Sequence, residues 1–447
     1  MRATPAVTAD PREALVLPPL CEWESRVFEG VALTPTSRAH AARLAEGREP
    51  RLQIDELRDG LRVRARSWVG VVRLDGLEIR IVPKLAGEQL GLVRLLEQVS
   101  GLDGLARLAG EAGLHLAGDN LLDLVALLFA EACEGVLRRG LLAGYVEREE
   151  DLPVVRGRIL ADRQVLRRFG RLDQIVCRFD ELEHDLDENR LLAVTLRVAH
   201  RRVSAPAVRR RLARLRAILD PICDLTQLDL QTVRTELAYN RLNTHYEQAH
   251  ALAWLLLDGL GVEDLLVPGE TRGFAFLLDM NLLFERFVER IVRRVLPAEE
   301  FRVRYQASHG SILWNATAQR PYAHVIPDLL VEERSRRDAR LAIDAKYKLY
   351  DERRLDPSDV YQTFLYAYGL GARAEGRPPA ALILYPASGE ELRRVGLQIR
   401  SPLGFPGAEV HALAIPIPAA LDELEKDEPG AVLNALARIV RELTGGS

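Results

Sequence analysis

The stretch that most constrains the fold is residues 325–346. Two short apolar, β-prone runs, Val325-Ile-Pro-Asp-Leu-Leu-Val-Glu and Leu341-Ala-Ile-Asp-Ala-Lys346, flank a mostly charged stretch from Glu333 to Arg340. Strand-forming residues on either side of a polar connection predict a β-hairpin. With its turn centred near Arg336, Asp328 falls opposite Asp344 across the ladder. Side chains alternate along a strand, so Asp344 and Lys346 share a face and Ala345 points the other way. Two carboxylates and one ammonium then converge at one end of a small sheet. Two acids can hold a hard divalent cation such as Mg²⁺ through oxygen and leave water positions open. Lys346 can hold or help deprotonate an attacking water and offset phosphate charge. The pattern suits phosphodiester hydrolysis.

An isolated Asp-x-Lys is ordinarily a solvated ion pair. Three features set this one apart. Pro327-Asp328 precedes it by a hairpin's length. The approach to Asp344, Leu341-Ala-Ile, is apolar, so the acid ends a buried strand. Asp359-Val-Tyr-Gln-Thr-Phe-Leu-Tyr-Ala-Tyr368 then reads as a helix, with Gln362 and Tyr366 four apart on one face.

Composition narrows the class. The 447 residues suffice for two or three domains. With 61 Lys+Arg against 65 Asp+Glu, net charge is −4, so any basic surface is local. Cys21, Cys133, Cys177 and Cys223 are far apart, which argues against a disulfide framework or a zinc site and for a reducing compartment. The first residues lack the apolar core of a signal peptide. No charge-free apolar run reaches the roughly 18 residues a membrane span requires. These features predict a cytoplasmic protein that does not enter a membrane. Neither internal repeats nor low-complexity tracts appear.

Patterning predicts an α/β multidomain chain in three parts. Residues 1–88 form a β-rich N-terminal domain: residues 1–18 read as loose, 37–47 as a short helix, and Leu61–Lys84 as a meander turning at Asp75-Gly76. Alternating Arg62, Arg64 and Arg66 mark a solvated strand face, an edge or a partner surface. Residues 89–260 are mostly helical, with a buried helix over 120–140 ending at Gly140. The Asp180–Arg190 cluster, which includes His184, reads as helix-start acids in preference to a metal site. Residues 190–216 carry nine Arg and no acid, in helical period with a break at 204–206. That stretch is either a solvated face or a DNA-backbone contact through Arg201, Arg202, Arg209 and Arg210. A linker is expected over 259–270. Residues 261–447 form the third domain, a mixed sheet flanked by helices. Asp279 is read as N-cap of a helix over 280–295, which carries Glu285 beside its apolar stripe as a further candidate acid.

Pro327-Asp328, Asp344-Ala-Lys346 and Gln362-x-x-x-Tyr366 together resemble the PD-(D/E)XK nuclease signature and the Q-x-x-x-Y element of its RecB-like branch. Phe276–Val288, Asp344-Ala-Lys-Tyr-Lys348, Asp359-Val-Tyr-Gln362, Val82-Pro-Lys84, Gly157-Arg-Ile and Asn189-Arg190 more particularly resemble the McrC family, the nuclease subunit of McrBC-type restriction systems. The likeness runs over residues 60–420 or so, strongest at 273–368. It implies a type IV restriction endonuclease subunit whose C-terminal domain is a PD-(D/E)XK nuclease. It implies Mg²⁺, with Asp328 and Asp344 as metal ligands, Lys346 catalytic, Gln362 and Tyr366 orienting the site, and Glu285 a weaker transfer. It implies a McrB-like hexameric AAA+ GTPase partner that reads modified cytosine, an N-terminal region that engages that ring and stimulates it, and paired nuclease subunits on double-stranded DNA. The chain has no Walker loop, so GTP would be bound by the partner. Two other readings compete: a mainly activating, bridging subunit of the ring, and a RecB-like repair exonuclease.

Overall fold

The computed structural model describes residues 15–445 apart from 48–49, 85–88, 101–119, 171–172, 227, 261–273, 337–338, 349, 351–353, 373–377, 388, 390, 401–405 and 427. The N-terminal fourteen residues and most of the expected linker therefore lie outside the described residues. Contacts divide the chain into two compact units, residues 1–110 with 271–447, and residues 111–270. The three-part division drawn from composition separates 1–88 from 261–447, two segments that the contacts join.

The first unit opens with β1 (Leu15–Val16), β2 (Leu20–Cys21), β3 (Ser25–Glu29), α1 (Pro35–Ala45), β4 (Leu52–Leu57), β5 (Gly60–Ala65), β6 (Trp68–Leu74), β7 (Leu77–Val82) and α2 (Gln89–Ser100). The second unit holds α3 (Leu121–Arg139), β8 (Gly144–Leu152), β9 (Arg158–Ile159), α4 (Ala161–Arg168), β10 (Ile175–Glu183), α5 (Asp187–Arg202), α6 (Pro206–Leu219), α7 (Leu230–Glu236) and α8 (Glu247–Leu260). The chain returns to the first unit with β11 (Phe274–Asp279), α9 (Met280–Val295), β12 (Phe301–Tyr305), β13 (His309–Asn315), β14 (Arg320–Val325), β15 (Leu329–Glu333) and β16 (Arg340–Ala345). It ends with α10 (Pro357–Leu370), β17 (Ala380–Ala387), β18 (Arg393–Arg400), β19 (Pro406–Pro416), α11 (Ile417–Leu424) and α12 (Ala431–Thr444).

Strand β11 explains why the ends of the chain fold together. It lies antiparallel to β6, Phe274 opposite Arg73 and Asp279 opposite Trp68, at the edge of the sheet β1-β7-β6-β11. Its Ala275 and Leu277 enter the apolar core built from residues 17–81. Gly70 makes the close pairing possible: its φ is 142°, and a Cβ there would sit 2.0 Å from the Phe276 carbonyl oxygen. The sheet β3-β5-β4 places β5 in the middle, so Arg62 and Arg64 stand on a central strand, not on an edge.

The sheet that carries the candidate site has the order β12-β15-β16-β17-β19-β18. β16, β17 and β19 are parallel neighbours, and the remaining pairs are antiparallel. Within the hairpin Leu329 pairs with Ile343, which puts Asp328 directly opposite Asp344. The expected strand is shorter at its start than the sequence suggests. Val325 ends β14 in a separate ribbon with β13, and the chain re-enters the main sheet only at Leu329. Pro327 lies between the two strands and lacks the N–H a ladder needs, a physical reason for the break. Helix α10 packs on the sheet through Tyr366, Ala367 and Leu370 against Leu330, Ala342 and Ala381. Helix α9 buries the expected stripe of Phe284, Phe287, Val288, Ile291 and Val295.

Candidate active site

Asp344 and Lys346 sit where the parallel strand β16 ends. Ligand sites of α/β sheets concentrate at the carboxyl ends of strands, where the backbone leaves the sheet and opens a crevice. The hairpin fixes the partner. The Ala345 N–H donates to Asp328 Oδ2 at 2.7 Å, which locks that carboxylate beside the strand end. Asp344 is 1% exposed, and the Lys346 ammonium lies 2.9 Å from its Oδ2.

From Lys346 a directed chain of hydrogen bonds runs back to the hairpin. Lys346 Nζ donates to Gln362 Oε1 at 3.2 Å. Gln362 Nε2 donates to the Tyr366 hydroxyl at 2.7 Å, and that hydroxyl donates to the Ile326 carbonyl at 3.0 Å. Helix α10 can present Gln362 and Tyr366 together because they are one turn apart and its start is fixed by Asp356, which caps Ser358 N–H at 2.9 Å. Asp328, Asp344, Lys346, Gln362 and Tyr366 therefore meet at one place.

The electrostatics are strained in a specific sense. Burial pushes the Asp328 carboxyl up, and the charge on Glu285 adds to it. Burial also pushes Asp344 up, and the Asp328 charge beside it does the same. The two acids sit opposite each other across the hairpin, so the charge state of one shifts the other. Burial pulls the Lys346 ammonium down, but the Asp344 carboxylate more than offsets it, so the lysine stays charged. Asp344 Oδ2 is held by that ammonium, which offsets only one of the two buried acid charges. A hard divalent cation would relieve the remaining repulsion between the acids, so this oxygen donor set fits Mg²⁺.

Glu285, on α9, lines a cleft of about 730 Å³ with Ala345, Lys346 and Gln362, and Asp344 lies buried behind that wall. Glu285 accepts from the Tyr305 hydroxyl at 3.3 Å and from Gln306 Nε2 at 3.5 Å, and burial pushes its carboxyl up. Among the described residues no three His, Cys, Asp or Glu come together as a metal-holding group, so Glu285 stands beside the aspartate pair without converging on it.

Sequence reasoning missed the N-terminal wall of this cleft. Trp23, Arg66 and Ser67 line it beside Lys346 and Gln362. Buried Glu22 accepts from the Tyr347 hydroxyl at 2.9 Å across 325 residues of sequence. Asn281 reaches Ser67 Oγ at 2.7 Å. No spacing rule connects positions so distant; only the pairing of β11 with β6 brings them together.

The basic stretch belongs to the second unit, on α5 and α6. Much of its charge is matched locally. Arg190 pairs with Asp185 at 2.7 Å, Arg197 with Asp220 at 2.8 Å, and Arg211 with Glu134 at 2.6 Å and Glu131 at 2.9 Å. The Arg209 guanidinium donates to the Val203 carbonyl. Arg201 and Arg210 are exposed, and Arg202 is half-buried. In the Asp180–Arg190 cluster His184 bonds the Leu142 carbonyl at 3.0 Å, and Asp187 opens α5.

Fold and site together define a mixed α/β protein with a carboxylate-pair and lysine cleft at the end of a parallel strand. A family model described as the McrBC 5-methylcytosine restriction system component matches residues 63–386, and the chain belongs to that family. Among solved structures it is similar to a chain in the refined half-complex from a tetradecameric assembly of Thermococcus gammatolerans McrB AAA+ hexamers with bound McrC. That likeness has a TM-score of 0.62 at 20% identity, covers 96% of this chain and 100% of the other, and shows a shared fold. A looser likeness, to the cryo-EM structure of the Thermococcus gammatolerans McrBC complex, has a TM-score of 0.48 at 23% identity over 63% of this chain and 88% of the other. No curated protein matches the chain. Among the described residues no helix is long and apolar enough to cross a membrane.

Proposed function

We propose that this chain is the Mg²⁺-dependent endonuclease subunit of a cytoplasmic restriction complex. It cuts double-stranded DNA carrying methylcytosine when assembled with a McrB-like AAA+ GTPase, whose hydrolysis it stimulates. The observation that carries the reading is the buried Asp344 opposite Asp328 at the end of a parallel strand, with the Lys346 ammonium 2.9 Å from its Oδ2. The partner follows from family membership and from the fold shared with a chain of the McrB–McrC assembly. GTP belongs to that partner, and cutting both strands calls for two nuclease subunits brought together by it.

Asp328 and Asp344 would hold the cation. When bound, Mg²⁺ neutralises phosphate charge and makes water a competent nucleophile near neutral pH. The chain's own residues do the rest. Lys346, kept charged by Asp344, offsets the negative charge that builds on the phosphate oxygens in the transition state. Gln362 aims that ammonium, and Tyr366 anchors Gln362 to the Ile326 carbonyl, so the lysine needs little reorganisation. Glu285 adds negative potential at the cleft wall.

The test is cleavage of methylcytosine-containing plasmid by the chain together with a McrB-type partner, GTP and Mg²⁺. Asp344→Asn should end cleavage and leave stimulation of the partner's GTPase intact. Stimulation without any cleavage by the wild-type chain would make it an activating subunit instead. A closed circular substrate excludes an end-dependent exonuclease if it is cut.

A further inference from the structure

A second cleft of about 910 Å³ adjoins the acid–lysine cleft within the first unit, and Trp23, Arg66 and Lys348 line both. Its wall adds Lys84, Tyr350 and Arg354. Arg66 and Arg354 are exposed, and neither forms an ion pair with any described residue. Lys348 Nζ lies 2.8 Å from Asp359.

The acids on this wall are already engaged. Glu24 pairs with Arg26 at 2.6 Å and accepts the Cys21 N–H at 2.8 Å. Asp356 caps α10. Glu22 is buried and accepts from Lys84 N–H at 3.0 Å and from the Tyr347 hydroxyl. Burial pushes its carboxyl up to about 7, which makes it a weak source of negative charge. The charge this cleft offers a ligand is positive.

Trp23 is the anomaly. Its φ is 64°, in a turn closed by the Glu24 N–H on the Cys21 carbonyl at 3.1 Å. Left-handed turn positions belong to glycine, and a bulky residue there is an outlier. Core packing does not account for it, since the residue is 43% exposed. Backbone strain thus holds a large aromatic face between two clefts, one with a phosphate-type site and the other with unpaired guanidinium groups. Strain of this kind collects at functional sites.

We propose that Trp23 is a base-stacking platform: a DNA strand with its phosphate at Asp328, Asp344 and Lys346 continues into the second cleft, its neighbouring base stacked on the indole and its backbone along Arg66 and Arg354. The proposal rests on reading the acid–lysine cleft as a phosphodiester site. Every base has a π-face, so the platform tolerates any sequence. It would hold the strand in register while recognition of the modified base stays elsewhere.

The experiment uses the full chain without divalent cation and a single-stranded oligodeoxynucleotide carrying 2-aminopurine and a fluorescein end label. The wild-type chain should bind it and quench the 2-aminopurine. Trp23→Ala and Trp23→Gly should bind about tenfold more weakly and lose the quenching, with Trp23→Phe retaining most of both. Trp23→Gly should melt at or above the wild-type temperature, because glycine relieves the strained turn. Wild-type affinity and quenching in Trp23→Ala, an absence of quenching by the wild-type chain, or a lower melting temperature for Trp23→Gly would each overturn the platform. Binding is read without cleavage, so a chain that shows these signals but never cuts DNA with a McrB-type partner, GTP and Mg²⁺ overturns the nuclease reading and leaves the cleft as a site that binds phosphate without hydrolysing it.

Discussion

The acid–lysine cleft and the basic helix pair α5–α6 both concentrate charge, and they handle it in opposite ways. In the helices Arg190, Arg197, Arg211 and Arg216 meet carboxylates that hold them. Arg211 has two glutamates, and Asp220 accepts both Arg197 and Arg216. In the cleft two acids face each other, each pushed up by burial and by a neighbouring carboxylate, with one ammonium to balance both. Charge that is satisfied builds structure. Charge that is left in conflict marks a place where a ligand is meant to complete the balance.

Substitution at the two places should therefore separate activity from stability. Asp344→Asn or Lys346→Ala should lower cleavage by the assembled complex by at least about 10²–10³-fold, the usual loss when one electrostatic stabiliser of a transition state is removed. Cleavage rates at saturating partner measure it, and near-wild-type rates for both variants would move the chemistry elsewhere. Arg211→Ala, by contrast, should cost about 2 kcal/mol of stability by orphaning Glu131 and Glu134. Denaturant unfolding reads that loss. The cleavage rate per folded complex should not change.

A smaller effect tests the conflict itself. Asp328 and Asp344 have folded pKa values above the ordinary carboxylate range. A raised carboxyl contributes stability that is fully present below its unfolded pKa, roughly 4, and is lost as pH rises through the folded value. Without metal the chain should melt at progressively lower temperature as pH climbs from that range past neutrality. Asp344→Asn removes one of the opposed charges, so it should flatten this dependence and raise the melting temperature at pH 8 by a few degrees. Mg²⁺ should raise the wild-type melting temperature and not that of Asp344→Asn. A pH-independent wild-type profile would mean that the pair is solvated after all.

The same contrast explains what was legible in the sequence. The hairpin register could be read because apolar runs of known length flank a polar turn, and Leu329 does pair with Ile343. Gln362 and Tyr366 could be paired because helical spacing is local. The caps were local too: Asp279 accepts from Asn281 N–H at 2.9 Å, and Gly140 closes α3 at a φ of 99°. Strand β18 escaped notice although Val395, Leu397 and Ile399 recur at period two, because that segment is rich in arginine. The wall formed by Glu22, Trp23 and Arg66 left no local signal. Its link to the site is a strand pairing across the whole second unit. The arginine count of 190–216 misled in another way: the carboxylates that match it, such as Glu131 and Glu134, lie far away in sequence.

The smallest effect concerns the part of the basic stretch that is not matched. Arg201 and Arg210 are exposed at the end of α5 and in the first turns of α6. If the satisfied arginines are structural, DNA contact by this region falls to the exposed ones, which include these two and Arg214. Each phosphate contact contributes close to one unit to the slope of log affinity against log salt concentration. Arg201→Ala with Arg210→Ala should therefore reduce that slope for duplex binding by about 2 while leaving unfolding stability within about 0.5 kcal/mol of wild type. Cleavage at saturating DNA should be unaffected, because neither residue lines the acid–lysine cleft. An unchanged salt slope would remove both from DNA contact and leave Arg214, Arg66 and Arg354 as the cations that meet the DNA backbone.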